Sequence, residues 1–204
     1  MSTEPDATVT GRADQDRLPP GQVMARSLPV MHYGRVPTVR LASWRLSLIG
    51  ATADGSDRSW GYDELMARRQ VEVVADMHCA TSLTQLGVAW RGVPTAELVS
   101  AAPPAAEVTH AMVWAEHGYC ANLRLQDLLA PTTLLAHSRD GATLTPERGW
   151  PLRLVVPHLY AWKGPKWVRG FEYLTEDRPG FWESRGYHSV ADPWREQRYA
   201  ADRS

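Results

Sequence analysis

Cys79 is the first residue in the chain whose type and position suggest chemistry. It follows the apolar run from Val71 to Met77, where a predicted strand passes into a loop that begins at Ala80. A thiolate at this point could be buried and still reach a site at the edge of a sheet. The alternative is a small core residue, which is what most free cysteines are. The neighbouring His78 points to the opposite face of a strand, so the two side chains could not bind one metal without a bend.

A second feature is a stretch that is rich in basic residues and free of acids. Residues 148–171 contain no Asp or Glu and carry Arg148, Arg153, Lys163, Lys166 and Arg169. Gly164 and Pro165 separate the two lysines, so the backbone there could approach a ligand closely. A bidentate Arg with a Lys beside a Gly turn suits a phosphate or pyrophosphate group. The alternative is a solvated face paired with acids from other segments, and no P-loop or dinucleotide-binding Gly motif accompanies the stretch.

Histidine and cysteine residues form a third group, consisting of His110, His117 and Cys120 with His78 and Cys79 upstream. His117 and Cys120 have a spacing that zinc sites use. A second Cys-x-x-Cys or His-x-x-His pair is missing from the sequence, so zinc is the weaker hypothesis. The sequence also lacks the Gly-x-Ser-x-Gly motif that would indicate a serine hydrolase.

The composition limits the kinds of function that can be considered. A chain of 204 residues can form one large domain or two small ones, with a substantial core. The formal net charge of -1 gives no basic footprint for nucleic acid or an anionic membrane. Two cysteines do not make a disulfide framework; one bridge between them is possible, but a reducing compartment is the simpler interpretation.

The N-terminus and the hydropathy favour a cytoplasmic protein. The first residues are polar and acidic, without a positively charged start followed by an apolar stretch, so a secretory signal is not expected. No apolar run is long enough to cross a bilayer. We therefore expect a cytoplasmic location and neither a nucleic-acid nor a membrane partner.

Short elements must position these residues. Alternating or apolar runs predict strands near residues 44–49, 71–78, 111–114, 132–137, 151–157 and 167–174. Short helices are predicted at Tyr62–Arg69 and Leu125–Leu129. Many short strands with few short helices indicate an α+β fold, a mixed strand-rich single domain. Residues 1–25 lack periodicity and are predicted to be a flexible N-terminal arm, which leaves residues 26–204 as the domain.

Four pieces of sequence, in this order, carry a resemblance to a known family. They are Val71–Cys79, Trp90–Pro94, His117–Asn122 and the most specific piece, Gly149–Gly170. Together they resemble the sulfite oxidase-like molybdopterin-dependent oxidoreductases over residues 28–199. Two tail pieces, Glu176–Glu183 and Asp192–Arg195, are similar to the haem-free cytoplasmic bacterial branch of that family. The resemblance therefore covers nearly all of the predicted domain.

The resemblance implies a molybdenum–molybdopterin cofactor with Cys79 as its protein ligand. In the family a cysteine thiolate binds molybdenum and the pterin dithiolene supplies two further sulfurs, which suit a metal that cycles by two electrons. The acid-free stretch would hold the pterin phosphate. By position, the resemblance assigns these further residues to the cofactor: His32, Tyr33, Glu116, His117, Asn122, Arg153, His158, Gly164, Pro165 and Lys166.

The resemblance also implies oxygen-atom transfer to or from a small substrate of the sulfite, S-oxide or N-oxide type. A separate ferredoxin- or flavin-type reductase would exchange the electrons. Sulfite oxidases follow the metal cysteine with an Ala-Gly-Asn-Arg type of run, whereas here the run is Ala80–Leu83 without that Arg, which disfavours sulfite. The alternative function is a non-catalytic protein that binds a pterin or another phosphorylated ligand through the basic stretch.

Overall fold

The computed structural model describes residues 14–201. Within them the strands are β1 (Val23–Met24), β2 (Arg45–Gly50), β3 (Arg58–Gly61), β4 (Val71–His78), β5 (Leu83–Pro94), β6 (His110–Ala115), β7 (Cys120–Arg124), β8 (Leu134–Arg139), β9 (Ala142–Thr143), β10 (Arg153–Val155) and β11 (Val168–Leu174). The short helices are α1 (Tyr62–Met66), α2 (Thr95–Ala101) and α3 (Leu125–Leu128). This strand-rich mixture confirms the predicted α+β fold class.

The strands form two mixed sheets. In the first, the order is β1-β5-β8-β10, with β4 paired to β5 and β9 paired to β8. In the second, the order is β3-β2-β11-β6-β7. Two pairs, β1 with β5 and β2 with β11, are parallel, and the other pairs are antiparallel. Both β4, which leads to Cys79, and β10, which carries Arg153, therefore belong to the first sheet.

A buried cluster joins the two sheets. Leu46, Leu48 and Phe171 contribute to it from the second sheet, and Leu135 and Leu154 contribute from the first. Leu46 and Leu48 are buried while Arg45 is exposed, so the alternation in the sequence correctly identified the inward face of β2. The same kind of pattern predicted β4, β6, β8, β10 and β11 in approximately the right places.

The longest strand, β5, was not predicted. The sequence indicated only a loop at residues 80–84, whereas the chain is extended from Leu83 to Pro94. The strand carries an irregularity opposite Ala75 and Met77, and Gly87 there has φ of 64°. Such a bulge disrupts the two-residue period from which strands are recognised.

The N-terminal part of the chain differs from the predicted flexible arm. Residues 1–13 lie outside the described residues, but Val23 and Met24 pair in parallel with the start of β5. The side chain of Gln22 is buried, donates to the carbonyl of Cys79 at 3.2 Å and accepts from the Thr84 hydroxyl at 3.1 Å. These contacts correct the boundary at residue 25, because residues 22–24 pack against the turn that follows β4.

Candidate active site

A cavity of about 490 Å³ brings together the residues that the sequence singled out most strongly. Cys79, Arg153 and Lys166 all line this cavity. Four other predicted residues also line it: His32, Tyr33, Gly164 and Pro165. The thiol and the basic stretch, which are far apart in the sequence, thus face one space.

Cys79 is presented by a tight turn between β4 and β5. Its N–H donates to the carbonyl of Leu83 at 2.8 Å, and its carbonyl accepts from the N–H of Ser82 at 3.2 Å. Ser82 has φ of 63°, which closes the turn. The Thr81 hydroxyl donates to Sγ of Cys79 at 3.1 Å. The turn therefore fixes the sulfur through both the main chain and a neighbouring side chain.

His78 lies on the other side of the strand, as the sequence predicted. It is buried, and its Nδ1 lies 2.9 Å from the hydroxyl of Thr84. Burial lowers its pKa, and the Asp76 and Asp192 carboxylates oppose that shift. His78 is absent from the cavity lining, so the structure does not bring it to the sulfur of Cys79 as a second ligand.

Arg153 is a buried cation whose hydrogen bonding is incomplete. Its two terminal nitrogens lie 3.5 Å from the carbonyls of Arg148 and Gly164, and its Nε is buried without a hydrogen-bond partner. Burial lowers its pKa to about 10, and the nearby Arg139 and Arg148 add to the shift. A buried donor without a partner is costly unless a ligand satisfies it.

Lys166 is held at the same cavity by neutral groups. Its Nζ donates to the carbonyls of Met31 and Glu147, each at 2.8 Å. Burial lowers its pKa to about 7, with further contributions from Arg153 and Arg148. Within residues 14–201, no carboxylate forms an ion pair with Arg148, Arg153 or Lys166. An anion bound between them would oppose this lowering of both pKa values, because an opposite charge favours the charged form of each group.

Two features of the fold hold the cations together. The buried ring of Trp90 lies beneath two guanidinium groups, 5.5 Å from that of Arg139 and 5.2 Å from that of Arg153, and the negative face of the ring partly offsets their repulsion. Gly149 has φ of 115°, and a Cβ there would lie 2.9 Å from that of Arg153 and 3.2 Å from that of Lys166. Glycine at this position therefore lets the two cationic side chains pack side by side.

Other members of the basic stretch are neutralised within the fold. Lys163 is fully buried; its Nζ lies 2.6 Å from the Glu183 carboxylate and donates to the side-chain and main-chain oxygens of Asn122. Arg169 lies 3.6 Å from Glu116. Two of the five bases therefore pair with acids from elsewhere, which leaves Arg148, Arg153 and Lys166 at the cavity. Arg139, from outside the stretch, also lines the cavity, but it pairs with Asp140 at 3.2 Å.

Gly164 lines the cavity but has another steric constraint. A Cβ at this residue would lie 2.5 Å from the carbonyl oxygen of Leu154. The close approach that requires glycine here is therefore to strand β10. Gly164 thus positions the turn beside Arg153, in addition to leaving its own backbone at the cavity surface.

Aromatic side chains form another wall of the cavity: Tyr119, Trp162, Trp167, Trp182, Tyr187 and Tyr199. Tyr187 lies at the centre of one group, with ring centroids 5.1 Å from Trp162, 5.0 Å from Trp182 and 5.3 Å from Tyr199. Burial raises the pKa of Tyr187, and the nearby Cys79 contributes to the shift. The aromatic group and the thiol therefore line the same cavity. Tyr187 and Tyr199 could not be identified from the sequence, because the tail has no strand or helix pattern to place them.

The other predicted site residues do not line this cavity. Glu116 pairs with Arg169, and Nε2 of His117 donates to the Arg35 carbonyl at 2.6 Å. Asn122 accepts from Lys163 and donates to Asp177, while His158 lies 3.0 Å from Asp127. The structure thus gives Glu116, His117, Asn122 and His158 partners within the fold.

The zinc hypothesis has no ligand set in the described part of the chain. Within residues 14–201, no group of three or more His, Cys, Asp or Glu side chains is arranged to hold a metal ion. His117 bonds to the main chain of Arg35, and burial raises the pKa of Cys120. Cys79 and Cys120 are both free thiols.

Comparison with known proteins identifies the family. The family model described as "Oxidoreductase molybdopterin binding domain" matches residues 33–182. The chain belongs to this family. It is therefore an oxidoreductase whose cofactor is molybdenum–molybdopterin, and the resemblance recognised in the sequence is confirmed.

Individual relatives agree with this assignment. The "Uncharacterized oxidoreductase YuiH" of Bacillus subtilis (strain 168) is 40% identical over 195 residues, which cover 95% of this chain and 98% of that protein. The "Putative protein-methionine-sulfoxide reductase subunit YedZ1" of Azospira oryzae is 30% identical over 173 residues, covering 83% of this chain and 64% of that protein.

None of the helices in residues 14–201 is long and apolar enough to span a membrane.

A solved structure supports the fold. The sulfane dehydrogenase SoxCD of Paracoccus pantotrophus has a TM-score of 0.66 and 17% identity, covering 86% of this chain and 56% of that chain. At this identity the likeness concerns the fold alone.

The residues around the cavity fit the family's cofactor. Cys79 offers a soft sulfur donor. Arg148, Arg153 and Lys166 offer positive charge without carboxylate partners in the described residues, and the buried Nε of Arg153 lacks an acceptor that a phosphate oxygen would provide. A thiol and an anion-binding group facing one space are what a phosphate-bearing metal cofactor requires.

Proposed function

We propose that this oxidoreductase catalyses two-electron oxygen-atom transfer to or from a small substrate, with the Cys79 thiolate bound to molybdenum. The observation that carries the proposal is that Cys79, Arg153 and Lys166 line one cavity of about 490 Å³. When bound, the cofactor supplies a metal that changes oxidation state by two and exchanges one oxygen atom. The membership of an oxidoreductase family favours this function over a non-catalytic pterin-binding protein.

The protein's own groups hold and orient the cofactor. Cys79 supplies the thiolate, and the hydrogen bond from Thr81 fixes the direction of its sulfur. Arg148, Arg153 and Lys166 would bind the pterin phosphate. Burial and neighbouring cations lower the pKa of each of these side chains, and a bound anion would oppose that shift. His32, Tyr33, Gly164 and Pro165 border the same space and would contact the pterin.

Among the possible substrates, an S-oxide is favoured. The turn after Cys79 carries Thr81 and Ser82 and has no Arg for an anion such as sulfite. The Azospira oryzae relative is named as a putative subunit of a protein-methionine-sulfoxide reductase. We propose that electrons come singly from a separate ferredoxin- or flavin-type reductase. The cytoplasmic location stays a prediction from the sequence.

The test compares the two cysteines in protein produced by a molybdopterin-competent host. The wild type and Cys120→Ser should contain close to one molybdenum per chain and reduce an S-oxide with reduced viologen as donor. Cys79→Ser should keep its circular dichroism spectrum but lose this activity by at least about 1,000-fold, since removal of a direct metal ligand changes the reacting centre. Full activity in Cys79→Ser, or wild-type protein without molybdenum, would refute the proposal.

A further inference from the structure

Part of the aromatic wall of the cavity lies beyond the family match. The match ends at residue 182, whereas Tyr187 and Tyr199 lie after it and both line the cavity. The matched residues therefore provide the thiol, the cations and four of the aromatic side chains, Trp162 among them, and the C-terminal segment adds two more rings. The side chains that line a site, more than the fold that carries it, determine which substrate it selects.

Trp162 faces this segment and is rigidly fixed. Its indole N–H donates to the buried Glu183 carboxylate at 3.0 Å, and its ring stacks on Tyr160 at 5.1 Å with 12° between the planes. The carbonyl of Trp162 accepts from the Tyr119 hydroxyl at 2.7 Å. With its only polar hydrogen already bound, the Trp162 side chain offers a ligand nothing but aromatic surface.

The lining of the cavity also limits the charge of a ligand at this end. Its described residues include no Asp or Glu, so a cationic group would find no counter-charge there. The cations that line it are the group to which the cofactor phosphate is assigned under the proposed function. Beside the thiol, a neutral group with a planar face would gain offset-stacked or edge-to-face contacts with the rings.

We propose that Trp162 and Tyr199 form a specificity wall for substrates in which an aromatic ring is attached to the sulfur that carries the oxygen. The substrate class is thus the aryl sulfoxides. The inference rests on the proposed function, because it assumes that the oxide is reduced beside Cys79. Trp162 provides one aromatic surface for the substrate ring, and Tyr199, with 51% of its surface exposed, provides a second.

The overall reaction balances with a one-electron donor. An aryl sulfoxide accepts two electrons and two protons, its sulfur–oxygen bond breaks, and the products are the aryl sulfide and water. Two equivalents of a reduced viologen radical supply the electrons and are each oxidised by one electron. The protons come from solvent.

The first measurement compares two sulfoxides with the molybdenum-loaded enzyme. We expect kcat/KM to be about tenfold higher for methyl phenyl sulfoxide than for dimethyl sulfoxide. Trp162→Leu and Tyr199→Leu should each lower the value for the aryl substrate by about threefold to tenfold, since one aromatic contact is lost. Both variants should lower kcat/KM for dimethyl sulfoxide by a smaller factor than for the aryl sulfoxide, because dimethyl sulfoxide has no ring to contact the wall.

The second measurement reports binding without turnover. Methyl phenyl sulfone has the same ring but is not reduced in this assay, and its Kd is obtained by calorimetry. Trp162→Leu and Tyr199→Leu should weaken its binding by the same factor as they lower kcat/KM for the aryl sulfoxide. Trp194→Leu is the matched control, since Trp194 lies in the same segment, is 50% exposed and does not line the cavity.

The outcomes separate this inference from the function on which it rests. If the wild type reduces neither sulfoxide, the proposed oxygen transfer to S-oxides fails, and sulfone binding alone then decides whether the wall exists. If both sulfoxides are reduced with equal kcat/KM, or if the wall variants bind the sulfone as the wild type does, the specificity wall is overturned. A loss of sulfone binding in Trp194→Leu equal to that in the wall variants would also overturn it.

Discussion

Lys163 and Lys166 are separated only by Gly164 and Pro165, yet their surroundings are opposite. Lys163 is fully buried against Glu183 and Asn122, which lie on two other segments. Lys166 meets main-chain carbonyls and other cations, and its pKa is lowered to about 7. Burial lowers the pKa of Lys163 as well, but the Glu183 carboxylate opposes the shift. Lys163 is thus compensated by a carboxylate within the fold. Lys166 has no such carboxylate in the described residues, so its charge is available to bind an anionic ligand.

The largest expected effect is on stability at Lys163. Lys163→Met should lower the free energy of unfolding by about 3–5 kcal/mol, because the Glu183 carboxylate would remain buried without its counter-charge. Urea unfolding followed by tryptophan fluorescence measures this. The double variant Lys163→Met/Glu183→Leu should recover most of the loss, since it removes both charges. A cost below about 1 kcal/mol for the single variant would contradict the structural role.

The same change at Lys166 should affect ligand binding and leave stability nearly unaltered. Lys166→Met should change the free energy of unfolding by less than about 1 kcal/mol, because the charge that is removed is poorly compensated. Sulfate binding to cofactor-free protein, measured by calorimetry, should weaken by roughly tenfold as a charge-assisted hydrogen bond is lost. Lys163→Met/Glu183→Leu should bind sulfate as the wild type does. Equal losses in both would erase the distinction between the two lysines.

Titration of Lys166 gives a further prediction for sulfate binding. The lowered pKa means that Lys166 is charged below about pH 7 and neutral above it, so sulfate affinity should fall as the pH rises through this value. Sulfate keeps its charge across this range, and we expect a decrease of roughly tenfold between pH 6 and 8. Lys166→Arg should remove most of the pH dependence, because guanidinium stays charged. A dependence that persists in Lys166→Arg would point to another group at the site.

The contrast between the lysines also marks the limit of prediction from sequence. Strands such as β2 and β11 could be predicted because alternation is local, and Cys79, Arg153 and Lys166 could be proposed from residue types and a family resemblance. The partner of Lys163 could not be predicted, since Glu183 lies in a tail without periodicity. Arg139 was not singled out in the sequence, since it reaches the cavity from strand β8, which pairs with β5.

The smallest expected effect concerns the position of Lys166. Gly149→Ala should push Arg153 and Lys166 apart, because the added Cβ would lie 2.9 Å and 3.2 Å from theirs. Sulfate binding to cofactor-free protein should weaken by about threefold, which corresponds to a fraction of one hydrogen bond. The positive φ of 115° should also cost about 1–2 kcal/mol of unfolding free energy.

Gly186→Ala separates the two consequences of that substitution. Gly186 lies three residues after Glu183 and has φ of 91°. No atom lies within 4 Å of the position that an added Cβ would take there. It should therefore show a similar loss of stability without any change in sulfate affinity. If both variants weaken sulfate binding alike, backbone strain alone disturbs the site, and the close packing of Arg153 and Lys166 against Gly149 is not what organises it. If only Gly149→Ala weakens binding, the affinity depends on how closely the two cations are held as well as on their charge.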